Sequence, residues 1–308
     1  MKQPPPPAPE PPTSRTVDLD GPVHYVDFGG TGPPMVLVHG LGGSSVNWLA
    51  VGGALARDHR VYALDLPGFG RTPPAGRELT FRTHRRTVTR FLKEVAGERA
   101  VLVGNSMGGL VSLAVAAKRK KLVSALVLVA AALPKPPDAR HDPRVFGLFV
   151  LYMVPGAAEL YLRRRKARMT PEEESNEMLK LCTVDMGRIP REVIQAHYAL
   201  ARERRGMPWA NQAFLASARS MVPNVLFPAK VTRWIERVKA PTLLIHGDKD
   251  RLVSVAASRA ACVMRSDFRL EVLDGVGHVP QMEAPDRFVA TLRAFTSSVA
   301  AKTRKPQE

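Results

Sequence analysis

The chain has 308 residues and a formal charge of +17 at pH 7, from 45 Lys and Arg against 28 Asp and Glu. Apolar residues make up 45% and charged residues 24%, which excludes global disorder and supplies material for a core. Two cysteines, Cys182 and Cys262, argue against a disulfide-stapled secreted scaffold and leave open a single bond between them.

Residues 1–14 are rich in proline and poor in large apolar side chains, and are expected to form a mobile tail. No apolar leader region is visible there, and no stretch approaches the about 20 apolar residues of a membrane-spanning helix. The chain therefore reads as soluble and cytoplasmic. Asp20-Gly21 marks a hairpin turn before a strand over Val23–Phe28. Continuous apolar runs follow at Met35–Val38, Val61–Leu64, Ala100–Val103 and Leu126–Val129, the pattern of strands buried on both faces. Thr242–Ile245 is a fifth such run and Leu270–Leu273 a weaker sixth. Helical patterns fall near Trp48–Arg57, Thr83–Ala96, Gly109–Lys118, Val255–Val263 and Pro285–Ala300. This alternation predicts an α/β fold with a mostly parallel sheet and helices on both faces.

The alternation breaks once. Residues 134–237 hold no buried strand and read as helical and basic, too long a segment for a plain loop. They are expected to form a helical cap over the carboxyl edge of the sheet, where open α/β sheets bind ligands. Residues 15–133 and 238–301 then form the core, and 302–308 a second tail.

The third buried run leads into Gly104-Asn105-Ser106-Met107-Gly108, a G-x-S-x-G pattern with a strand before it and a helix after it. Such a turn lifts a serine out of the sheet edge. A serine hydroxyl needs a neighbouring base, and His278, in a glycine-rich loop after the last strand, is the candidate. The imidazole needs a carboxylate to fix its tautomer. Asp250 follows the preceding strand, with Asp248 as its rival two residues earlier. His39 and His246, also at strand ends, are expected to hydrogen-bond neighbouring loops, and Asn105 to order the turn. No metal-ligand or dinucleotide spacing occurs, so no cofactor is expected.

These residues give the chain its resemblance to the α/β-hydrolase family, over roughly Val23 to Val299. His39-Gly40-Leu41-Gly42-Gly43 resembles the family's oxyanion loop, and Asp65-Leu66-Pro67-Gly68-Phe69-Gly70 its turn after the next strand. The family pattern G-x-x-D favours Asp250 over Asp248. The resemblance implies a nucleophile elbow at Ser106 and an oxyanion hole built from the amides of Leu41 and Met107. It also implies that the cap precedes the strand leading to the catalytic aspartate.

The expected activity is that of a serine hydrolase, esterase- or lipase-like, acting on a small carboxylic ester with an apolar part. Some capped relatives cleave carbon–carbon bonds in ring-fission dienoates behind a similar elbow. They usually carry a Ser-Gly-Pro-Gly-like run where this chain has Leu41-Gly42-Gly43. A non-catalytic binding protein on the same scaffold is the third reading. Trp48 and Phe69 are placed near the pocket mouth, and Phe149, in the apolar run Val145–Val154, in a greasy roof. That run, with Arg163-Arg164-Arg165-Lys166 after it, also suits peripheral contact with an anionic membrane surface. No aromatic residues interleave the basic runs, so no nucleic-acid partner is expected.

Overall fold

A computed structural model describes residues 11–137, 139 and 142–304. Residues 1–10 and 305–308, most of the two expected tails, lie outside these. Among the described residues eight strands form one sheet. They are β1 (Thr13–Asp18), β2 (Pro22–Asp27), β3 (Pro34–Val38), β4 (Arg60–Leu64), β5 (Ala100–Asn105), β6 (Val123–Val129), β7 (Thr242–Gly247) and β8 (Arg269–Leu273). Their order is β1-β2-β4-β3-β5-β6-β7-β8. The β1–β2 and β2–β4 pairs are antiparallel, and every pairing from β4 to β8 is parallel.

Among the described residues twelve α-helices accompany the sheet. The core contains α1 (Leu49–Leu55), α2 (Phe81–Phe91) and α3 (Met107–Lys118). Between β6 and β7 come α4 (Pro143–Met153), α5 (Ala157–Arg168), α6 (Pro171–Cys182), α7 (Arg191–Arg205), α8 (Ala210–Leu226) and α9 (Ala229–Arg237). Then follow α10 (Val255–Met264), the single turn α11 (Pro280–Glu283) and α12 (Pro285–Arg304).

The period of two along the buried strands sorts their side chains cleanly. Val36, Val38, Leu102, Leu126 and Leu128 join Phe91 of α2 and Leu113 of α3 on one face. Met35, Leu37, Val101, Val103 and Val127 join Leu55 of α1 and Phe288 and Leu292 of α12 on the other. Each such side chain, fully buried, contributes roughly 1.5–3 kcal/mol. This explains why these strands read as unbroken apolar runs.

Three boundaries differ from the sequence reading. Thr13 and Ser14 belong to β1, not to a tail. This strand escaped notice because it is an exposed hairpin edge with almost no apolar side chains, ordered by pairing with β2. Asp20, with φ +60°, and Gly21 make the turn. At the other end, α12 continues through Arg304. Finally, α9, inside the segment expected to form the cap, packs with the core. Val231, Trp234 and Ile235 recur at helical spacing and pack with α3 in the first core cluster. The Trp234 ring stacks on Phe81 at 5.5 Å and 9°.

Candidate active site

Ser106 stands at the corner between β5 and α3 with φ +53° and ψ −116°. A non-glycine residue there is strained, and surrounding bonds must hold it. The Ser106 amide donates to Val129 O at 2.9 Å, and the Ser106 carbonyl accepts from Ala132 N at 3.0 Å and Leu110 N at 3.1 Å. The corner closes only because Gly104 and Gly108 lack side chains. A Cβ at Gly108 would lie 2.3 Å from Val38 O, and one at Gly104 would lie 2.3 Å from Gly108 O.

His278 follows β8, and its Nδ1 hydrogen-bonds Asp250 Oδ2 at 2.7 Å. The Asp250 side chain is inaccessible and fully engaged. Its Oδ1 accepts from the amides of Leu252 and Val253 at 2.8 and 3.0 Å, and its Oδ2 also meets His246 Nε2 at 3.1 Å. Burial works to raise the Asp250 carboxyl, but His278 and His246 beside it hold it well below the usual carboxylate range. Asp248 turns elsewhere, to the Gly275 amide at 2.6 Å and Lys249 Nζ at 2.9 Å. Asp250, not Asp248, therefore meets the histidine. Ser106 and His278 line one cavity of about 280 Å³, which Leu41 also borders. Met107 opens α3, where first-turn amides have no intrahelical acceptor.

The two other strand-end histidines divide. His39 accepts from Leu66 N at Nε2 (3.0 Å), so its Nδ1 carries the proton shared with Gly40 O (2.7 Å). It ties loops together, as expected. His246 does more than that. Besides Ser258 Oγ at 2.7 Å and Val253 O at 2.9 Å, it reaches Asp250 itself. Asn105 also does more than order its own turn, because its Nδ2 donates both to Val129 O at 3.2 Å and to His278 O at 3.1 Å. That amide links the serine corner to the histidine loop.

A buried carboxylate completes the frame. Glu283 accepts from Val184 N and Asp185 N, both at 2.9 Å, through Oε1, and from Gly277 N at 2.7 Å through Oε2. The His278 amide donates to Cys182 O at 2.7 Å. The end of α6 is thus tied through the backbone to the loop that carries His278. Sequence reasoning missed Glu283. The available signal was a carboxylate five residues after His278, in a stretch otherwise free of charge. Cys182 lies in the same wall, but burial and then Asp250 push its thiol up to about 12, so it stays protonated. Both cysteines are free.

The substrate-binding expectations need correction. Trp48 is wholly inaccessible and packs on Phe288 in the second core cluster, because the turn over Ser45–Trp48 points the ring into the core. Phe69 does line the cavity. Phe149 stands behind Tyr152, edge-on at 6.4 Å, and Tyr152 is the ring that reaches the cavity, with Leu162 and Phe214. Nor is the roof uniformly greasy, since Arg165, Lys166, Arg204 and Arg205 line it too. Helices α5 and α7 place both apolar and basic positions inward.

The sequence model of the family described as alpha/beta hydrolase fold matches residues 33–285. The chain belongs to the α/β-hydrolase fold family. As a member of that family it is 29% identical over 282 residues to the 2-hydroxy-6-oxo-6-(2'-aminophenyl)hexa-2,4-dienoic acid hydrolase of Metapseudomonas resinovorans, covering 89% of this chain and 88% of that protein. It is 26% identical over 273 residues to Lipase 1 of Psychrobacter immobilis, covering 88% and 79%. Among solved structures, this α/β hydrolase resembles a serine hydrolase involved in carbazole degradation, the CarC enzyme. There the TM-score is 0.72, the identity 27%, and the coverage 93% of this chain and 99% of that one.

Proposed function

We propose that this α/β hydrolase is a serine hydrolase of small carboxylic esters. The observation that carries the reading is the strained Ser106 corner opening on the same cavity as His278, whose Nδ1 is held at 2.7 Å by a buried, ionised Asp250. Ser106 Oγ attacks the ester carbonyl while His278 Nε2 takes its proton. Asp250 fixes the Nδ1–H tautomer and stabilises the imidazolium. The amides of Leu41 and Met107 receive the developing oxyanion. His278 then returns the proton to the leaving alcohol, and water activated by the same ring releases the acyl group.

The test is turnover of p-nitrophenyl esters of graded chain length by wild type and Ser106→Ala. Wild-type activity lost in the variant, with fluorophosphonate labelling lost alongside, is the expected outcome. Undiminished turnover in the variant would sink the mechanism. A second reading, hydrolysis of a carbon–carbon bond in a ring-fission dienoate, draws support from the relative that carries that name. Loss of dienoate absorbance without any ester turnover would favour it. An intact site that binds small molecules but turns over neither class would favour the binding-protein reading.

Peripheral contact with an anionic membrane surface is also part of the proposal. Phe146 and Val150 of α4 and Val154 just after it recur every four residues, and all are about half exposed. Arg163 and Arg164 are exposed on α5. No single helix among the described residues is long and apolar enough to cross a membrane. Cosedimentation with phosphatidylglycerol vesicles, lost in Phe146→Ser/Val150→Ser, tests this contact.

A further inference from the structure

The catalytic groups leave one wall of the cavity unexplained. That wall forms where the last turns of α5 and α7 meet, and it presents Arg165, Lys166, Arg204 and Arg205. Arg165 has a carboxylate partner, Glu177, at 2.8 Å. The other three are fixed by backbone carbonyls. Lys166 Nζ donates to Arg205 O at 2.7 Å, and Arg205 donates to Met169 O at 2.8 Å and Lys166 O at 2.6 Å. Arg204 donates to Gly70 O at 2.8 Å and Gly68 O at 3.2 Å.

A carbonyl holds a cation in place without cancelling its charge. The helix ends offset part of the excess, roughly half a charge each. Glu174 is the acidic group lining this wall, and burial raises its carboxyl above its ordinary value in spite of Arg165, Arg205 and Lys166 nearby. Asp65 and Glu172 also act on Arg204 and Arg205, but neither lines the cavity and Glu172 is paired with Arg202, so positive charge remains in excess. Each guanidinium also has five N–H donors in a fixed fork, more than two carbonyls engage. His197 lines the cavity as well, with Nε2 buried and without a hydrogen-bond partner among the described residues. Burial drives that ring down to about 4, so at neutral pH it offers an uncharged hydrogen bond.

A cavity lined by both the serine and excess cations sorts substrates by charge. We infer that the substrate is a short ester carrying a carboxylate remote from the scissile carbonyl, seated against Lys166, Arg204 and Arg205. The bond cleaved rests on the serine-hydrolase reading; the charge preference does not. The volume of about 280 Å³ suits a short ester, being at the small end of ligand cavities. Hydrolysis adds one water and releases an alcohol and an acid, one of which keeps the remote carboxylate.

The experiment measures binding to Ser106→Ala, which cannot complete turnover. Monomethyl adipate is compared by calorimetry with dimethyl adipate, its neutral counterpart on the same six-carbon chain. The monoester is expected to bind at least about tenfold tighter, the worth of one charge-assisted hydrogen bond, with the gap shrinking as salt rises. Lys166→Gln and Arg205→Gln should each narrow the ratio. Lys166→Gln is the milder change, because Arg205 itself clasps both helix ends. Equal affinities, tighter binding of the diester, or no binding of either overturns the inference. Wild-type turnover of p-nitrophenyl butyrate, run in parallel, tests the hydrolase reading separately. A preference without turnover would keep the charge inference and sink that reading, and turnover without a preference would do the reverse.

Discussion

The sheet edge and the helical segment above it meet at one cavity but are built differently. At the edge, the reactive side chains sit on backbone that admits few alternatives. Ser106 is pinned through its own amide and carbonyl, and Asp250 accepts two amides and two imidazoles. The overlying helices rest on small clusters and on ion pairs at the surface, such as Arg219–Glu159 and Arg202–Glu172. Exposed pairs of this kind contribute little. The contrast assigns rigidity to the chemistry and latitude to selection. Within the helical segment the contrast repeats. The α6–α7 half shares a cluster with Val279 and Met282 beside His278, while α4, α5 and α8 pack around Tyr152, Ala158 and Leu215.

The sharpest way to break this contrast is at the edge. Asp250→Asn removes the charge that fixes the His278 tautomer, and kcat on a p-nitrophenyl ester is expected to fall by about 10⁴-fold. A loss under tenfold would mean that Asp250 only packs. Gly108→Ala tests the backbone instead. Its Cβ would lie 2.3 Å from Val38 O and 2.4 Å from His39 O, so backbone must move. The expected cost is about 3 kcal/mol or more, read as a lowered Tm. An unchanged Tm would show that the corner has slack.

A subtler comparison sets the two halves of the helical segment against each other. Glu283→Gln replaces a carboxylate that accepts three backbone amides. The expected cost is about 2 kcal/mol, with a fall in kcat because the His278 loop loses its tie to α6. Leu215→Ala, buried in the α4–α5–α8 cluster, should instead raise KM and leave kcat nearly unchanged. If both variants moved the same parameter, the halves would not be functionally distinct.

What the sequence made legible follows this division. Ser106, Asp250 and His278 stand out because a sheet edge compresses chemistry into short patterns that glycine must accompany. The sheet faces were legible because burial on both sides removes polar residues. The helices over the cavity were not, because α4 and α5 bring an aromatic, an aliphatic and a basic side chain, Tyr152, Leu162 and Arg165, to one cavity with no shared residue type to mark them. Trp48 was misplaced for a related reason: its distance from the oxyanion loop is visible in sequence, but the turn that rotates it into the core is not. Glu283 acts through the amides of Val184 and Asp185, about a hundred residues away, and His246 through a carboxylate it shares with His278, and neither contact leaves a pattern in the sequence.

Acid titration gives the smallest expected effect and separates the buried histidines from the triad carboxylate by pH. Burial lowers His84 to about 3 and His197 to about 4. His84 reaches Ser217 Oγ at 2.9 Å and so joins core α2 to α8. A histidine whose folded pKa is depressed binds its proton first in the unfolded chain. Its share of stability is present above about pH 6.5 and falls as the pH drops towards the folded value, by up to about 1.4 kcal/mol per pH unit. His39 and His59, also lowered by burial, add to the same limb. Asp250 enters later. Its depressed carboxyl contributes above about pH 4 and loses that contribution only below it. Urea unfolding at a series of pH values should therefore weaken from pH 6.5 downward, well before the triad carboxylate titrates. His84→Gln should make the slope between pH 6 and pH 4.5 shallower by about one proton and leave the limb below pH 4 in place. Parallel curves for wild type and variant would show that His84 stays charged in the fold, against its burial between α2 and α8.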